Sequence, residues 1–165
     1  SRPQQADACI ATLAHQNTVN ALAVSKTRLV VASGKALCVY DAETEELLEQ
    51  LDGESEVRCV AVTEQAVGAS LIVMGDEGGR IKVWDAGACL SQLLPGTKLT
   101  SYPPLAATLE LKGEKTNAHN LQINSVTFSP DGTKIVSACG DDRPGTIKVW
   151  DSGVLVPLIT SPWLS

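Results

Sequence analysis

Residues 118–151 read AHNLQINSVTFSPDGTKIVSACGDDRPGTIKVWD and contain three short apolar runs separated by turn-forming residues. The first run, residues 123–128, is followed by Ser129-Pro130-Asp131-Gly132, in which Pro presets one backbone angle and Gly permits conformations that other residues avoid. Short alternating runs rich in Val, Ile and Thr are typical of β-strands. The stretch therefore predicts three consecutive antiparallel strands.

The last of these strands has two counterparts earlier in the chain. Each copy ends in an aromatic residue and an Asp, at Tyr40-Asp41, Trp84-Asp85 and Trp150-Asp151. Trp84 lies 44 residues after Tyr40, within the period of about 40–45 residues that is typical of one class of β-strand repeat. Trp150 follows 66 residues later, so that copy carries an insertion. Matching upstream strands at residues 19–24 and 57–62 complete a threefold repeat.

The motif from His119 to Asp151 resembles the WD-repeat family, and the two weaker copies extend the resemblance over most of residues 12–160. The resemblance implies an all-β fold, a partial β-propeller of about three four-stranded antiparallel blades plus an orphan N-terminal outer strand. The chain is then a single partial propeller, residues 1–165. Blade 1 is expected at about 15–51, blade 2 at about 54–111 with an insertion at 87–104, blade 3 at about 119–160, and the outer strand of a preceding blade at 8–13.

The outer strands of the three blades are expected near residues 46–51, 105–111 and 154–159. The first of these conflicts with local propensity, because residues 41–51 are rich in Glu and Leu and by themselves predict a helix. The position in the repeat requires an edge strand, and tertiary context can override propensity. We therefore expect a strand.

The family resemblance also implies a hydrogen-bonded chain within a blade. In the third copy it would run through His119, Ser137, Asp141 or Asp142, and Trp150. Buried polar groups need partners, so we expect these residues to fasten strands together.

The other two copies depart from this pattern. His15 is the matching residue of the first copy, which ends in Tyr40 and has too short a link at 33–35 for the Asp. In the second copy Glu54 replaces the His and Gly78 the Asp. The full network is thus expected only in the third blade, which we predict to be the most stable.

No residue pattern predicts a catalytic, cofactor-binding or metal site. The chain has two His, distant in the repeat, and five widely spaced Cys without a C-x-x-C pair, which we expect to be free thiols. The glycine-rich residues 75–80 lie between two strands and lack a phosphate-loop pattern, so they predict a hairpin turn. These observations favour a protein that is not an enzyme.

The charge distribution indicates what the chain binds. A formal net charge of −6 argues against nucleic acid, and no apolar run approaches the length of a membrane span. Residues 41–56 contain eight acids and no Lys or Arg. They predict either a solvated edge or a docking surface for a basic segment, with Glu45, Glu46, Glu49, Glu54 and Glu56 as possible partner contacts.

The insertion and the last turn supply two further possible contacts, Tyr102 and Arg143, although the insertion could equally be a connector without structure of its own. The leading function is a non-catalytic protein-interaction scaffold that presents propeller loops to partners. The alternatives are an enzyme whose site lies in blades absent here, and a purely architectural segment. Because three blades cannot close a ring, we expect exposed flanks, and further blades in a longer protein or self-association. An intracellular location is expected, cytoplasmic with the nucleus left open.

Overall fold

The computed structural model describes residues 8–64, 69–88, 109–140, 145–152 and 157–162. The described residues form twelve β-strands and no helix. The strands are β1 Val19–Val24, β2 Arg28–Ser33, β3 Ala36–Asp41, β4 Leu47–Asp52, β5 Val57–Glu64, β6 Ala69–Asp76, β7 Ile81–Ala88, β8 Glu110–Lys115, β9 Ser125–Phe128, β10 Lys134–Cys139, β11 Thr146–Asp151 and β12 Pro157–Pro162. Within the described ranges, no helical segment has the length and apolarity needed to cross a bilayer.

The strands form three antiparallel four-stranded sheets, each following chain order. Sheet β1–β4 is blade 1, sheet β5–β8 is blade 2 and sheet β9–β12 is blade 3. This arrangement confirms the predicted all-β partial propeller of three blades. The helix-prone residues 41–51 form a turn followed by β4, as the repeat position required.

The core consists of two layers, one between each pair of neighbouring blades. Blades 1 and 2 bury a cluster that includes Val30, Val39, Ile72 and Met74. Blades 2 and 3 bury a second cluster around Val83, Ile135 and Trp150. Because the middle strands are covered on both faces, β2 is nearly continuously apolar instead of alternating with polar residues.

The outer strands of blades 2 and 3 extend further along the chain than predicted. They are β8, Glu110–Lys115, and β12, Pro157–Pro162, where we expected 105–111 and 154–159. The position of an outer strand is set by its pairing with the third strand of the blade, as in the pairs Ile81↔Lys115 and Thr146↔Pro162. The pattern of apolar and polar residues within an outer strand does not determine this register.

The predicted orphan outer strand at residues 8–13 is wrong, since these residues are not in a strand. A strand needs a hydrogen-bonding neighbour, and none of the described strands lies beside them. Leu13 instead packs on a small cluster on the flank of blade 1, with Val31, Cys38 and Tyr40. This segment covers part of a flank that we had expected to be exposed.

Candidate functional site

The polar chain of blade 3 lies inside the sheet. His119 Nε2 is 2.7 Å from Ser137 Oγ, and Trp150 donates its indole N–H to the same oxygen at 2.8 Å. The three residues are at most 3% exposed. Ser137 lies on β10, Trp150 on β11 and His119 on the segment before β9, so one hydroxyl joins three parts of the blade.

The second ring nitrogen of His119 has a partner that the sequence did not indicate. Nδ1 lies 3.0 Å from Thr146 Oγ1 at the start of β11, whereas Asp141 and Asp142 lie outside the described residues. Burial, with the nearby charge of Lys148, lowers the pKa of His119 to about 4. The ring is therefore neutral at neutral pH, with both nitrogens occupied by hydroxyl groups. Such a ring fastens strands and has no nitrogen left for a metal ion.

Blade 1 uses a reduced version of this contact. His15 Nε2 is 3.2 Å from the Tyr40 hydroxyl, and the two rings meet edge to face at a centroid distance of 5.9 Å. The contact attaches the N-terminal segment to the flank of blade 1.

Blade 2 lacks the chain, and the register shows why. Trp84 pairs with Ile72 as Trp150 pairs with Ile135, which places Met74 where blade 3 has Ser137. Met offers no good acceptor, and the Trp84 indole N–H has no hydrogen-bond partner among the described residues.

Charged residues replace the polar chain at the rim of blade 2. Arg80 lies 3.8 Å from Glu54, the residue in the His position, and 3.7 Å from Glu114. The turn carboxylate comes from Asp76, two residues before Gly78, and it accepts the N–H groups of Gly78 and Arg80 at 2.9 and 3.0 Å. This carboxylate is found only in the structure, because the repeat alignment puts the Asp elsewhere.

The acidic residues 41–56 divide into two groups. Glu49 accepts the Leu109 N–H at 2.7 Å, Glu56 accepts the Asn20 amide at 3.0 Å, and Glu54 pairs with Arg80. These three predicted partner contacts therefore lie in contacts between or within blades. Glu46 is exposed, and Glu45 is half-buried with a positive φ of 58°.

The exposed acids of this stretch are Glu43, Glu46, Asp52 and Glu54. We call Glu43, Glu46 and Asp52 the acidic edge. They belong to β4 or to the turn before it, at the outer edge of blade 1. The other predicted contacts, Tyr102 and Arg143, lie outside the described residues, as does the predicted insertion at 87–104 except for residues 87–88, which belong to β7.

A cavity of about 300 Å³ lies where the first strands of the three blades begin, lined by Asn20, Arg58, Ile123 and Asn124. Asn20, Arg58 and Asn124 occupy equivalent positions of the three repeats. Aligning the repeats finds a polar residue at this position each time, a signal that the sequence analysis missed. The cavity contains one cationic group flanked by two amides.

The described part of the chain contains neither a metal-binding cluster nor an activated thiol. No group of three or more His, Cys, Asp or Glu side chains there could hold a metal ion. Among the described residues, Cys38, Cys59 and Cys139 are buried free thiols. Burial raises the pKa of Cys59 to about 12, so this thiol is not an activated nucleophile.

Comparison with known proteins agrees with this geometry. Residues 111–151 match the family model described as "WD domain, G-beta repeat". Together with the three four-stranded blades, this match is consistent with a WD-repeat family, and the fold is that of a partial β-propeller.

Particular relatives can also be named. The chain is 25% identical over 189 residues to the kinesin-like protein KIF21B of Homo sapiens and, equally, of Mus musculus. The alignment covers 92% of this chain but 11% of either relative, so the chain spans about a tenth of their length. A solved structure, the computationally designed Ika4 protein, superposes with a TM-score of 0.64 at 27% identity, covering 92% of this chain and 76% of that one.

Proposed function

We propose that this chain is a non-catalytic protein-interaction scaffold whose acidic edge docks a basic segment of another protein. The observation that carries the proposal is the placement of charge. Residues 41–56 contribute −8, while the rest of the sequence, with 13 bases and 11 acids, contributes +2. The acidic edge is the part of this stretch that is exposed and not committed to neighbouring blades.

The internal polar residues support the same proposal. His119, Ser137 and Trp150 bond one another inside blade 3, so the residues that most resemble catalytic chemistry serve the fold. WD-repeat propellers generally act as interaction modules and present their loops to partners. Tyr102 in the insertion and Arg143 before β11 remain proposed as additional contacts.

The partner class follows from the electrostatics. A Lys- or Arg-rich segment gains attraction from several exposed carboxylates at once, and this attraction weakens as salt screens it. Each exposed charge pair contributes about 0.2–1 kcal/mol. Removing two carboxylates is therefore expected to weaken binding by about twofold to thirtyfold.

The test uses a fluorescent Lys- and Arg-rich peptide and measures its dissociation constant by anisotropy at low and at high salt. The test variant is Glu43→Gln with Glu46→Gln, and the control variant is Asn117→Lys with Asn120→Lys, in the exposed turn after β8. Both raise the net charge by two. We avoid Glu49 and Glu56 because their carboxylates hold neighbouring segments.

At low salt we expect a higher dissociation constant for the test variant than for the wild type, and little change for the control variant. At high salt we expect similar dissociation constants for all three proteins. Equal weakening in both variants would indicate a general charge effect and would contradict the proposed edge. Binding that is insensitive to salt would contradict it as well.

The proposed location is intracellular, cytoplasmic with the nucleus left open. The supporting observation is that Cys38, Cys59 and Cys139 are buried free thiols, as is typical of reducing compartments. Imaging of the tagged chain in cells tests this, and a secreted product would contradict it.

A further inference from the structure

Each blade has a first strand with two different faces. One face carries larger apolar residues, which are Leu22 and Val24 in blade 1, Val60 and Val62 in blade 2, and Val126 and Phe128 in blade 3. The other face carries small residues, which are Ala21 and Ala23, Cys59 and Ala61, and Ser125 and Thr127. These positions are equivalent by register, since Leu22, Val60 and Val126 pair with Val31, Met74 and Ser137.

The two interfaces within the chain join a small face to a large face. Ala21 and Ala23 of blade 1 pack on the cluster that contains Val60 of blade 2. Ala61 of blade 2 packs in the same way on the cluster that contains Val126 of blade 3. Val60 and Val126 are each 7% exposed as a result. Small residues let the neighbouring first strand approach, and large ones fill the space.

One face of each kind has no neighbouring blade among the three that the structure describes. Leu22 and Val24 on the large face of blade 1 are each 65% exposed. Ser125 and Thr127 on the small face of blade 3 are exposed, and Ile147 beside them is 38% exposed. Within the described residues, blades 1 and 3 thus expose two unequal faces that match the two sides of the internal interfaces.

The N-terminal segment does not obstruct the large face of blade 1. Leu13 and His15 cover the part of the flank around Tyr40, and leave Leu22 bare. The segment before β9 occupies the same place on blade 3, where Ala118 and Ile123 join the cluster that also receives blade 2. On blade 3, therefore, the segment before β9 and the neighbouring blade 2 pack on the same flank.

We propose that two copies of this chain associate head to tail, the small face of blade 3 in each copy receiving the large face of blade 1 in the other. Such contacts between unlike faces close into rings when the rotation permits. Propellers have typically 4–8 blades. Two copies of the three described blades give six, whereas one copy or three copies of these blades fall outside that range.

A polar contact at the internal interface supports the same pairing. Asn20 of blade 1 donates to Glu56 Oε1 and to the Val57 carbonyl oxygen of blade 2, both at 3.0 Å. The equivalent residue of blade 3 is Asn124, which is exposed. In the paired copies Asn124 would donate to the backbone carbonyl of Val19, the residue equivalent to Val57.

The experiment measures the mass of the 165-residue chain in solution by sedimentation equilibrium, over a wide range of concentration. Twice the chain mass of 17.3 kDa is expected for the wild type. Leu22→Lys and Thr127→Lys alter the two faces at exposed positions, so the chain should still fold, as circular dichroism verifies. Leu47→Lys is the matched control, because Leu47 is 51% exposed on an outer strand.

Each of the two face variants should raise the dissociation constant about tenfold or more, because a lysine would be buried opposite apolar residues, and the control should not. Mixing Leu22→Lys with Thr127→Lys chains should restore association, since one unaltered small face can then meet one unaltered large face. A contact between two like faces predicts an effect from only one variant and no recovery on mixing.

The proposal is overturned by a wild type that has the single-chain mass at all concentrations, by assemblies larger than two copies, or by a mixture that does not recover. The interface is separate from the acidic edge. Variants at Glu43 and Glu46 should therefore leave the mass unchanged, and the two proposals can fail independently.

Discussion

Replacing Ser137 by Ala tests whether the polar chain of blade 3 stabilises the fold. The substitution removes one oxygen atom that serves both the Trp150 indole N–H and His119 Nε2, at 2.8 and 2.7 Å. Trp150 is 0% exposed and His119 3%, so water cannot replace the lost partner. A buried polar group left without a partner costs about 1–3 kcal/mol, so the two groups together give a loss of about 2–6 kcal/mol in the free energy of unfolding.

The assay is urea unfolding followed by circular dichroism, with Ser152→Ala as the control. The Ser152 hydroxyl is also buried but makes one hydrogen bond, to the Gly132 carbonyl oxygen at 2.7 Å, and its loss should cost about 1 kcal/mol. In a Trp150→Phe background the cost of Ser137→Ala should shrink, because Phe has no N–H to leave unpaired. Equal costs for the two serines, or an unchanged cost in that background, would refute the reasoning.

Three further predictions concern blade 3 and the β6–β7 turn of blade 2, which lies against His119. His119 binds a proton near pH 6.5 when unfolded but, because of burial, at about pH 4 when folded. Since the unfolded chain binds more protons in that window, stability should fall by roughly 3 kcal/mol from pH 6.5 to 4. The free energy of unfolding, measured with urea at several pH values, should depend less on pH in His119→Gln than in the wild type. The same pH dependence in both proteins would contradict the prediction. Hydrogen bonds, chiefly from the Ser129 hydroxyl at 2.6 Å, lower the pKa of Asp131 to about 2. Ser129→Ala should therefore raise the pKa of Asp131, as measured by NMR. An unchanged pKa would show that the Ser129 hydroxyl is not the main cause. Gly79→Ala should cost about 3 kcal/mol or more in urea unfolding, because φ is +80° and a Cβ would lie 2.1 Å from the His119 carbonyl oxygen. The matched control Gly78→Ala, whose nearest contact is 3.4 Å, should cost less, and equal costs would show that the close approach is tolerated.

The inner three strands of each blade could be predicted because their information is local. Alternation of apolar residues and the turn at 129–132 locate β9 and β10, and the aromatic–Asp ending locates β3, β7 and β11. The outer strands could not be placed as well. β8 begins at Glu110 because it pairs with β7, and its own sequence would allow several registers.

The polar contacts show the same division. The sequence placed His119, Ser137 and Trp150 in one family-derived chain, and the structure brings them together. Nothing in the sequence indicates that Thr146 is a partner of His119. Nor does anything in it indicate that Glu49 accepts the Leu109 N–H, a contact between residues 60 positions apart. Such pairings depend on how the sheets stack.

The amino-acid sequence by itself determined that this chain builds three similar antiparallel sheets, since periodicity and turn chemistry act between near neighbours in the chain. The tertiary structure alone decided which acids are exposed, which indole lacks an acceptor, and which two blade faces have no neighbour. These properties arise when one sheet buries the face of the next, because burial and hydrogen-bond partnership are set by residues that are distant in sequence.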